Sequence, residues 1–253
     1  MIYGDRPAME RPLFVSFGGG VNSTALIVEL VRRRIYIDGI FFADTGGERP
    51  ETYRTVDAVS DWLQKQGRPM IHSVSHGESL EASCLRSSSL PSAAYGFSGC
   101  AVKWKRQPIL RALKARLAAK ETWVMAIGID AGEERRVRIS TEERELAWYP
   151  LVQWSLDRAR CAEIAKSIGI EVGKSACFFC PHTRKTEILD LKKNHPKLLQ
   201  RALKLEANAD LNSLAGLGRR FSWRDVVNTR IGPHGTKEPF AFDVFPCGCS
   251  DGE

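Results

Sequence analysis

The chain has no apolar run approaching the roughly twenty residues needed to cross a bilayer, so no helical membrane span and no membrane partner are expected. Its first residues carry Asp5, Arg6, Glu10 and Arg11 where a secretory signal would need an apolar core, and a cytoplasmic location is expected. It lacks an internal repeat of solenoid period. It also lacks the Gly-Lys-Ser/Thr of a Walker loop and the Gly-x-Gly-x-x-Gly of dinucleotide folds, which sets aside both common nucleotide signatures. His182, His195 and His234 have no spacing that would gather them on one metal, and they read as ordinary residues. An even set of cysteines is missing too. There are seven, an odd count in a reducing compartment, which argues against a disulfide framework and for thiol ligands or reactive thiols.

What is present begins with Phe14-Val-Ser-Phe-Gly-Gly-Gly-Val-Asn-Ser-Thr-Ala-Leu26, a short apolar run that breaks into three glycines and then residues able to cap a helix. Such a strand, turn and helix start converges loop amides and a helix dipole, the arrangement that cradles an anion. The glycines alone leave an ordinary turn equally open. At 253 residues and 43% hydrophobic, the chain can bury one substantial core. The pattern predicts strand 12–17, helix 23–34 opened by Asn22 or Ser23, strand 37–43, helix 50–66 with Pro50 in its first turn, and strand 70–74. A helix over 103–119, a strand over 123–128 and a helix near 157–168 follow. Alternation of this kind implies an α/β fold with a mainly parallel sheet flanked by helices. Ser75 to Gly99, rich in Ser, Ala and Gly, reads as a long loop or lid.

Ser16-Phe-Gly-Gly-Gly-Val-Asn-Ser-Thr24 resembles the PP-loop of the ATP pyrophosphatase (adenine nucleotide alpha-hydrolase-like) superfamily, usually Ser-Gly-Gly-x-Asp-Ser, with Gly18 in place of the first Ser and Asn22 in place of the Asp. Ala43-Asp-Thr-Gly-Gly-Glu-Arg-Pro-Glu-Thr-Tyr53 resembles the Asp-Thr-Gly…Pro-Glu-Thr-Tyr segment of phosphoadenylylsulfate (PAPS) reductase-like proteins. Cys100-Ala-Val-Lys-Trp-Lys-Arg-Gln-Pro108 and Trp123 to Arg136 resemble two further blocks in the same order, and Tyr149-Pro-Leu-Val-Gln-Trp154 a Pro-Leu-x-x-Trp strand. The resemblance implies an adenine nucleotide alpha-hydrolase-like domain over residues 1–172, with a Cys-rich, basic, helical region over 173–253 packed on it. It implies ATP and Mg²⁺ as ligands, with Ser16, Gly18, Gly19, Gly20, Asn22, Ser23, Asp44, Thr45 and Gly128 on the nucleotide. Ser23, Asp44, Lys103, Asp130, Arg135 and Arg136 are the residues it implies for the chemistry, Asp44 or Asp130 as metal ligands and the cations at the α-phosphate.

Cys177-Phe-Phe-Cys180 is close enough in sequence for both thiolates to reach one centre, and Cys100 with Cys247 or Cys249 completes a four-thiolate set. Four thiolates suit either zinc or an iron–sulfur cluster. The resemblance tilts the choice toward a [4Fe–4S] cluster, with Zn²⁺ as the alternative. Cys84, read in the loop, and Cys161, on a helix face, are expected to be spare thiols or small core residues. After Pro181 the pattern predicts two amphipathic helices split at His195-Pro196, one face carrying Arg184, Lys185, Lys192, Lys193, Lys197, Arg201 and Lys204. With a net charge of +7, a polyanionic partner is favoured alongside the plainer reading of a solvated basic face.

The resemblance thus implies an ATP pyrophosphatase that adenylates a nucleic-acid acceptor for sulfur insertion. DNA phosphorothioation comes first, tRNA thiolation next, and a sulfur donor such as a cysteine desulfurase is the expected partner. A phosphoadenylylsulfate or adenylylsulfate reductase is the alternative enzyme. The tail Phe245-Pro-Cys-Gly-Cys-Ser-Asp-Gly-Glu253 has thiols but lacks a reductase's Glu-Cys-Gly-Leu-His context. A nucleotide-binding scaffold is the non-enzymatic alternative.

Overall fold

The computed structural model describes residues 11–211 and 214–228; Cys247, Cys249 and His234 lie outside them. The chain runs β1 (Leu13–Ser16), α1 (Val21–Arg32), β2 (Gly39–Asp44), α2 (Pro50–Lys65), β3 (Ile71–Ser75), α3 (Leu80–Arg86) and a 3₁₀ turn at Ser92–Tyr95. It continues with α4 (Gly99–Ala101), a π-helical turn Val102–Arg106, α5 (Gln107–Arg116), β4 (Trp123–Ile127), a 3₁₀ segment Ala131–Arg136, β5 (Glu145–Trp148), α6 (Pro150–Gln153) and α7 (Arg158–Lys166). Helices α8 (Lys185–Asn194), α9 (Pro196–Asn208) and α10 (Trp223–Asn228) follow.

The five strands form one sheet in the order β3-β2-β1-β4-β5, every pairing parallel. Period-two alternation divides the strands between two faces. Leu13 and Val15, Ile40 and Phe42, and Val124 and Ala126 pack under α1, α2 and α7. Phe14, Phe41, Ala43, Trp123 and Met125 pack on the other face under Ile109 and Leu113 of α5. After β1 the chain builds outward through β2 and β3, then returns to the other side of β1 for β4 and β5. The reversal leaves a crevice at the carboxyl ends of β1 and β4, where open α/β sheets take ligands.

A second buried cluster joins Leu80, Cys84, Leu90, Ala94 and Trp104 to Phe178, Phe179 and the apolar stripes of α8 and α9. The expected lid is therefore a packed segment with its own helix. Ser79 Oγ caps α3 by accepting from the Ala82 amide at 3.1 Å, and Cys84 lies on that helix rather than in a loop. The Pro-Leu-x-x-Trp strand is corrected as well: Pro150 opens the helical turn α6, and the strand is the Glu-Leu-Ala-Trp before it. Proline's fixed φ and missing N–H suit a first helical turn and interrupt a ladder. Helix α1 begins at Val21 with Gly20 as its cap, two residues before the expected start.

The C-terminal end of the described chain folds around one buried carboxylate. Glu206 accepts from the Leu217 amide at 2.7 Å, the Trp223 amide at 2.8 Å, the Arg224 amide at 3.1 Å and Ser222 Oγ at 2.8 Å. These bonds hold α10 and the buried Trp223 against α8 and α9. Glu206→Gln replaces one accepting oxygen with a donor and strands amides that face it, at a cost of about 1–3 kcal/mol. The expected result is a lower melting temperature, with hydrogen-exchange protection lost first at Leu217, Trp223 and Arg224; unchanged protection there would show that apolar packing alone holds the segment.

Candidate functional site

Three consecutive glycines carry the chain from β1 into α1. Gly19 has φ +70°, and a Cβ there would lie 2.7 Å from Thr52 Cγ2, so both backbone hand and space demand glycine. Ser23 Oγ accepts from the Gly18 amide at 3.2 Å and the Gly20 amide at 3.3 Å, and donates to the Gly20 carbonyl at 3.1 Å, closing the turn on itself. The first intrahelical bond of α1 runs from the Thr24 amide to the Gly20 carbonyl, so the amides of Val21, Asn22 and Ser23 precede any helical acceptor. No acidic residue stands in that first turn to oppose an anion. From β4, Gly128 comes so near that a Cβ would lie 2.9 Å from both the nitrogen and the Cα of Ser23. The two loops of the crevice are thus in direct contact, and Ser16 ends β1 just below them.

Asn22 and Asp130 are buried and bonded to each other, Asn22 Nδ2 donating to Asp130 Oδ2 at 2.8 Å. Arg158 Nη1 donates to Asn22 Oδ1 at 2.8 Å, and the second oxygen of Asp130 accepts from the Gly132 amide at 2.9 Å. Asn22 thereby relays between a carboxylate and a guanidinium, giving a proton to one and accepting from the other. At the end of β2, Asp44 Oδ1 accepts from the Gly46 amide and from Tyr53 Oη, both at 2.8 Å. Burial, then the bond to Asp44, pushes the Tyr53 phenol well above its ordinary value, so it stays a donor. Asp44 Oδ2 has no hydrogen bond within the described residues.

Beside Asp44 lies a small pocket lined by Thr45, Cys100, Lys105, Cys177, Phe179 and Cys180 among others. The segment from Ala176 to Phe178 is stitched to the loop after β2: the Phe178 amide donates to the Gly47 carbonyl at 2.8 Å and the Arg49 amide to the Ala176 carbonyl at 3.3 Å. Cys177 Sγ is 3.2 Å from Thr45 Oγ1 and 3.7 Å from Glu48 Oε1, while Lys105 Nζ pairs with Glu48 at 3.2 Å. No disulfide joins the described cysteines. Among the described residues no three His, Cys, Asp or Glu converge closely enough to hold a metal ion, so the three pocket thiols border a space instead of pinching a point. The other two thiols are buried elsewhere. Burial pushes Cys84 up to about 11 and Cys161 up to about 12, which keeps both protonated and unreactive at neutral pH.

The remaining residues singled out in the sequence stand apart. Lys103 is exposed, its ammonium 5.1 Å from the centre of the Trp104 ring. Lys105, which the sequence reading passed over, is the lysine on the pocket; its place in the π-helical turn could not be read from a run of alternating basic residues. Arg135 is exposed, and Arg136 pairs with Glu133 at 2.7 Å. On α8 and α9 part of the basic face is used internally. Lys192 donates to the Val227 carbonyl at 2.9 Å, Lys185 lies over Phe221, and Arg201 pairs with Glu81 and lies over Phe178. Arg184, Lys193, Lys197 and Lys204 are exposed.

The phosphoadenosine phosphosulfate reductase domain model matches residues 12–159, more than half of the chain, and the protein belongs to that family. No curated protein matches this chain. Among solved structures, the U34-tRNA thiolase NcsA from Methanococcus maripaludis with its [4Fe-4S] cluster is similar at 14% identity, covering 87% of this chain and 80% of that chain with a TM-score of 0.48.

The relay at Asn22 gives a test. Asn22→Asp would set two carboxylates against each other in a buried place and remove the proton that joins them, which costs about 1–3 kcal/mol. The expected outcome is a lower melting temperature at neutral pH that recovers on acidification, as one of the facing carboxyls takes up the shared proton. The Asn22→Asp, Asp130→Asn double variant should recover most of the loss; additive losses in the cycle would break the pairing argument.

Proposed function

We propose that the chain is a nucleotide-dependent sulfur-transfer enzyme. The glycine loop holds the phosphates of ATP, an acceptor oxygen attacks the α-phosphorus with pyrophosphate leaving, and a sulfur nucleophile then displaces AMP from the adenylated acceptor. The observation that carries this reading is the 3.2 Å contact between Thr45 Oγ1 and Cys177 Sγ. Thr45 follows Asp44 directly at the nucleotide edge of the sheet, so the thiol pocket and the nucleotide crevice share a wall.

In this reading Gly18, Gly19, Gly20 and Ser23 orient the phosphates through the loop and first-turn amides, an electrostatic contribution made largely by positioning. Asn22, already bonded to Asp130 and Arg158, fixes the first turn of α1 and takes no charge-bearing role. Asp44 Oδ2 is the oxygen open to Mg²⁺, whereas both oxygens of Asp130 are engaged. The exposed Lys103 and Arg135, with the half-buried Lys105 and Arg136 that pair with Glu48 and Glu133, supply positive charge around the crevice. Cys100, Cys177 and Cys180 would hold three corners of a [4Fe–4S] cluster, with Cys247 or Cys249 as the fourth ligand. When bound, such a cluster supplies a site where sulfide can be held. A single zinc ion needs its thiolates about 2.3 Å from one point, a convergence these three cysteines do not make.

Nucleic acid is the acceptor favoured by the exposed Arg184, Lys193, Lys197 and Lys204 on α8 and α9. DNA is taken ahead of tRNA because the order of motifs resembles the DNA phosphorothioation component, and a cysteine desulfurase is the natural sulfur donor. The test uses anaerobically prepared full-length protein with ATP, Mg²⁺, a cysteine desulfurase with labelled cysteine, a thiol reductant that supplies the two electrons releasing the desulfurase's persulfide sulfur as hydrosulfide, and DNA or tRNA in separate reactions. We expect AMP and pyrophosphate in equal amounts and label in the DNA, with Cys177→Ser cutting labelling by at least about tenfold while ATP binding persists. Label in tRNA alone would change the acceptor. Sulfite released from adenylylated sulfate by a thiol reductant would make the protein a reductase instead.

A further inference from the structure

The residue the site description leaves unexplained is Arg49, the N-cap of α2. It is 6% exposed, yet its Nε and Nη2 are shielded from solvent with no acceptor within reach. The carboxylates nearest in sequence each engage other partners through one oxygen, and their second oxygens, Glu48 Oε2 and Glu51 Oε2, are buried with no hydrogen bond to Arg49. Glu48 pairs with Lys105, and Glu51 Oε1 holds His195 at 2.6 Å and Arg54 at 3.1 Å. Thr52 Oγ1, three residues on, is likewise buried without a partner. A guanidinium cannot discard its charge, and leaving it buried and unpaired is among the costlier arrangements a protein can keep. Its satisfaction has to come from an anion that arrives.

Helical spacing says where that anion would sit. Thr52 touches the glycine loop, since its Cγ2 is the atom a Cβ at Gly19 would meet at 2.7 Å, and Tyr53 donates to Asp44. Residues three and four positions earlier on a helix share that face, which sets Arg49 one turn above Thr52 and Tyr53, at the carboxyl edge of the sheet between the glycine loop and Asp44. A strap closes the space from above: Gly173 lies against Glu51, Ser175 Oγ is 2.6 Å from where a Cβ at Gly20 would be, and the Ala176 carbonyl accepts from the Arg49 amide.

We propose that the side chains of Arg49 and Thr52 form a second anion subsite beside the glycine loop, which takes the terminal phosphoryl groups of a nucleoside triphosphate and retains pyrophosphate after it leaves. The planar fork of Arg49 suits two oxygens of a tetrahedral phosphoryl group, and the Thr52 hydroxyl supplies a third donor. The subsite makes the crevice discriminate triphosphate from monophosphate. It rests on the nucleotide reading of the glycine loop, and the test separates the two.

Calorimetry on the full chain with ATP, AMP and inorganic pyrophosphate, each with Mg²⁺, is compared for the wild type, Arg49→Lys and Arg49→Met. The wild type should bind pyrophosphate, and ATP more tightly than AMP. Arg49→Met should weaken ATP and pyrophosphate by about tenfold to a hundredfold, the value of a charge-assisted bond, with AMP unchanged. Arg49→Lys should fall between, keeping the charge and losing the fork. Without ligand, Arg49→Met should melt above the wild type, because it removes a buried charge that has no partner; a lower melting temperature would mean Arg49 is a structural residue and would overturn the proposal. Equal ATP and pyrophosphate affinities in the wild type and Arg49→Met would remove the subsite and leave the nucleotide reading standing. Pyrophosphate binding that depends on Arg49, with no binding of ATP or AMP, would keep the subsite and remove the nucleotide reading. A wild type that binds none of the three would sink both.

Discussion

The short antiparallel stitch between Gly47–Arg49 and Ala176–Phe178 is the contact on which the rest of the site depends. It consists of the Phe178 amide on the Gly47 carbonyl and the Arg49 amide on the Ala176 carbonyl, around an isolated bridge between Glu48 and Cys177. On one side of it lies the apolar core of the parallel sheet; on the other, Phe178 and Phe179 enter the helical core of α3, α8 and α9. Gly47 is pressed against the Phe179 ring, where a Cβ would sit 2.5 Å from Cε1, so the two cores meet with almost no backbone clearance. Two backbone hydrogen bonds are a modest net contribution in themselves, about 1 kcal/mol each. Their weight comes from register: they fix which residues of a distant segment face the end of β2, and that choice sets Cys177 on Thr45 and closes the space over Arg49.

Polar burial in the crevice follows from the same crowding. Where Gly128 meets the first turn of α1, there is no room for water between Asn22 and Asp130, so whatever polar groups stand there must satisfy each other. An amide does so with a carboxylate on one side and Arg158 on the other. An aspartate at position 22 would need a counter-charge that Arg158 alone, already reaching only the far oxygen, supplies incompletely. The departure of Asn22 from the usual PP-loop pattern is therefore matched by its neighbours, and it lowers the negative charge beside the glycine loop.

Much of the sheet was legible because its strands are buried on both faces and read as apolar runs of the right length before turn residues. β1, β2 and β4 are of this kind, and the glycine turn after β1 needs no tertiary information to be recognised. β5 was missed for the opposite reason. Its inward position is Glu145, bonded to Arg106 at 3.0 Å and to the Trp123 indole at 3.3 Å, while Leu146 faces outward, so the alternation runs against hydropathy. α3 was read as loop because seven residues with two serines nearby give little periodicity, although Ser79 was a readable cap. Of the site, the glycine loop, Asp44 and the CxxC pair could be found as local motifs. Arg49 could not, since nothing in Gly-Glu-Arg-Pro says that the glutamate before it and the one after it will both be taken by partners far away in sequence. Lys105 was hidden by Lys103 for a similar reason: which of two nearby lysines turns inward is decided by the π-helical turn and by Glu48, and neither is local.

The thiols divide along a physical line that composition does not show. Cys84 and Cys161 sit where burial raises the cost of a thiolate by more than the nearby Lys103 and Arg158 lower it, so both serve as small apolar fillers. Cys100, Cys177 and Cys180 border a space that also holds Lys105, and Cys177 has Thr45 within hydrogen-bond distance. An apolar wall of Leu80, Pro91, Phe179 and Pro181 completes the lining of that space. Glu48 links two members of that lining: its carboxylate, with its side chain fully buried, pairs with Lys105 at 3.2 Å and accepts from Cys177 Sγ at 3.7 Å, so the lysine's charge is matched within the pocket wall.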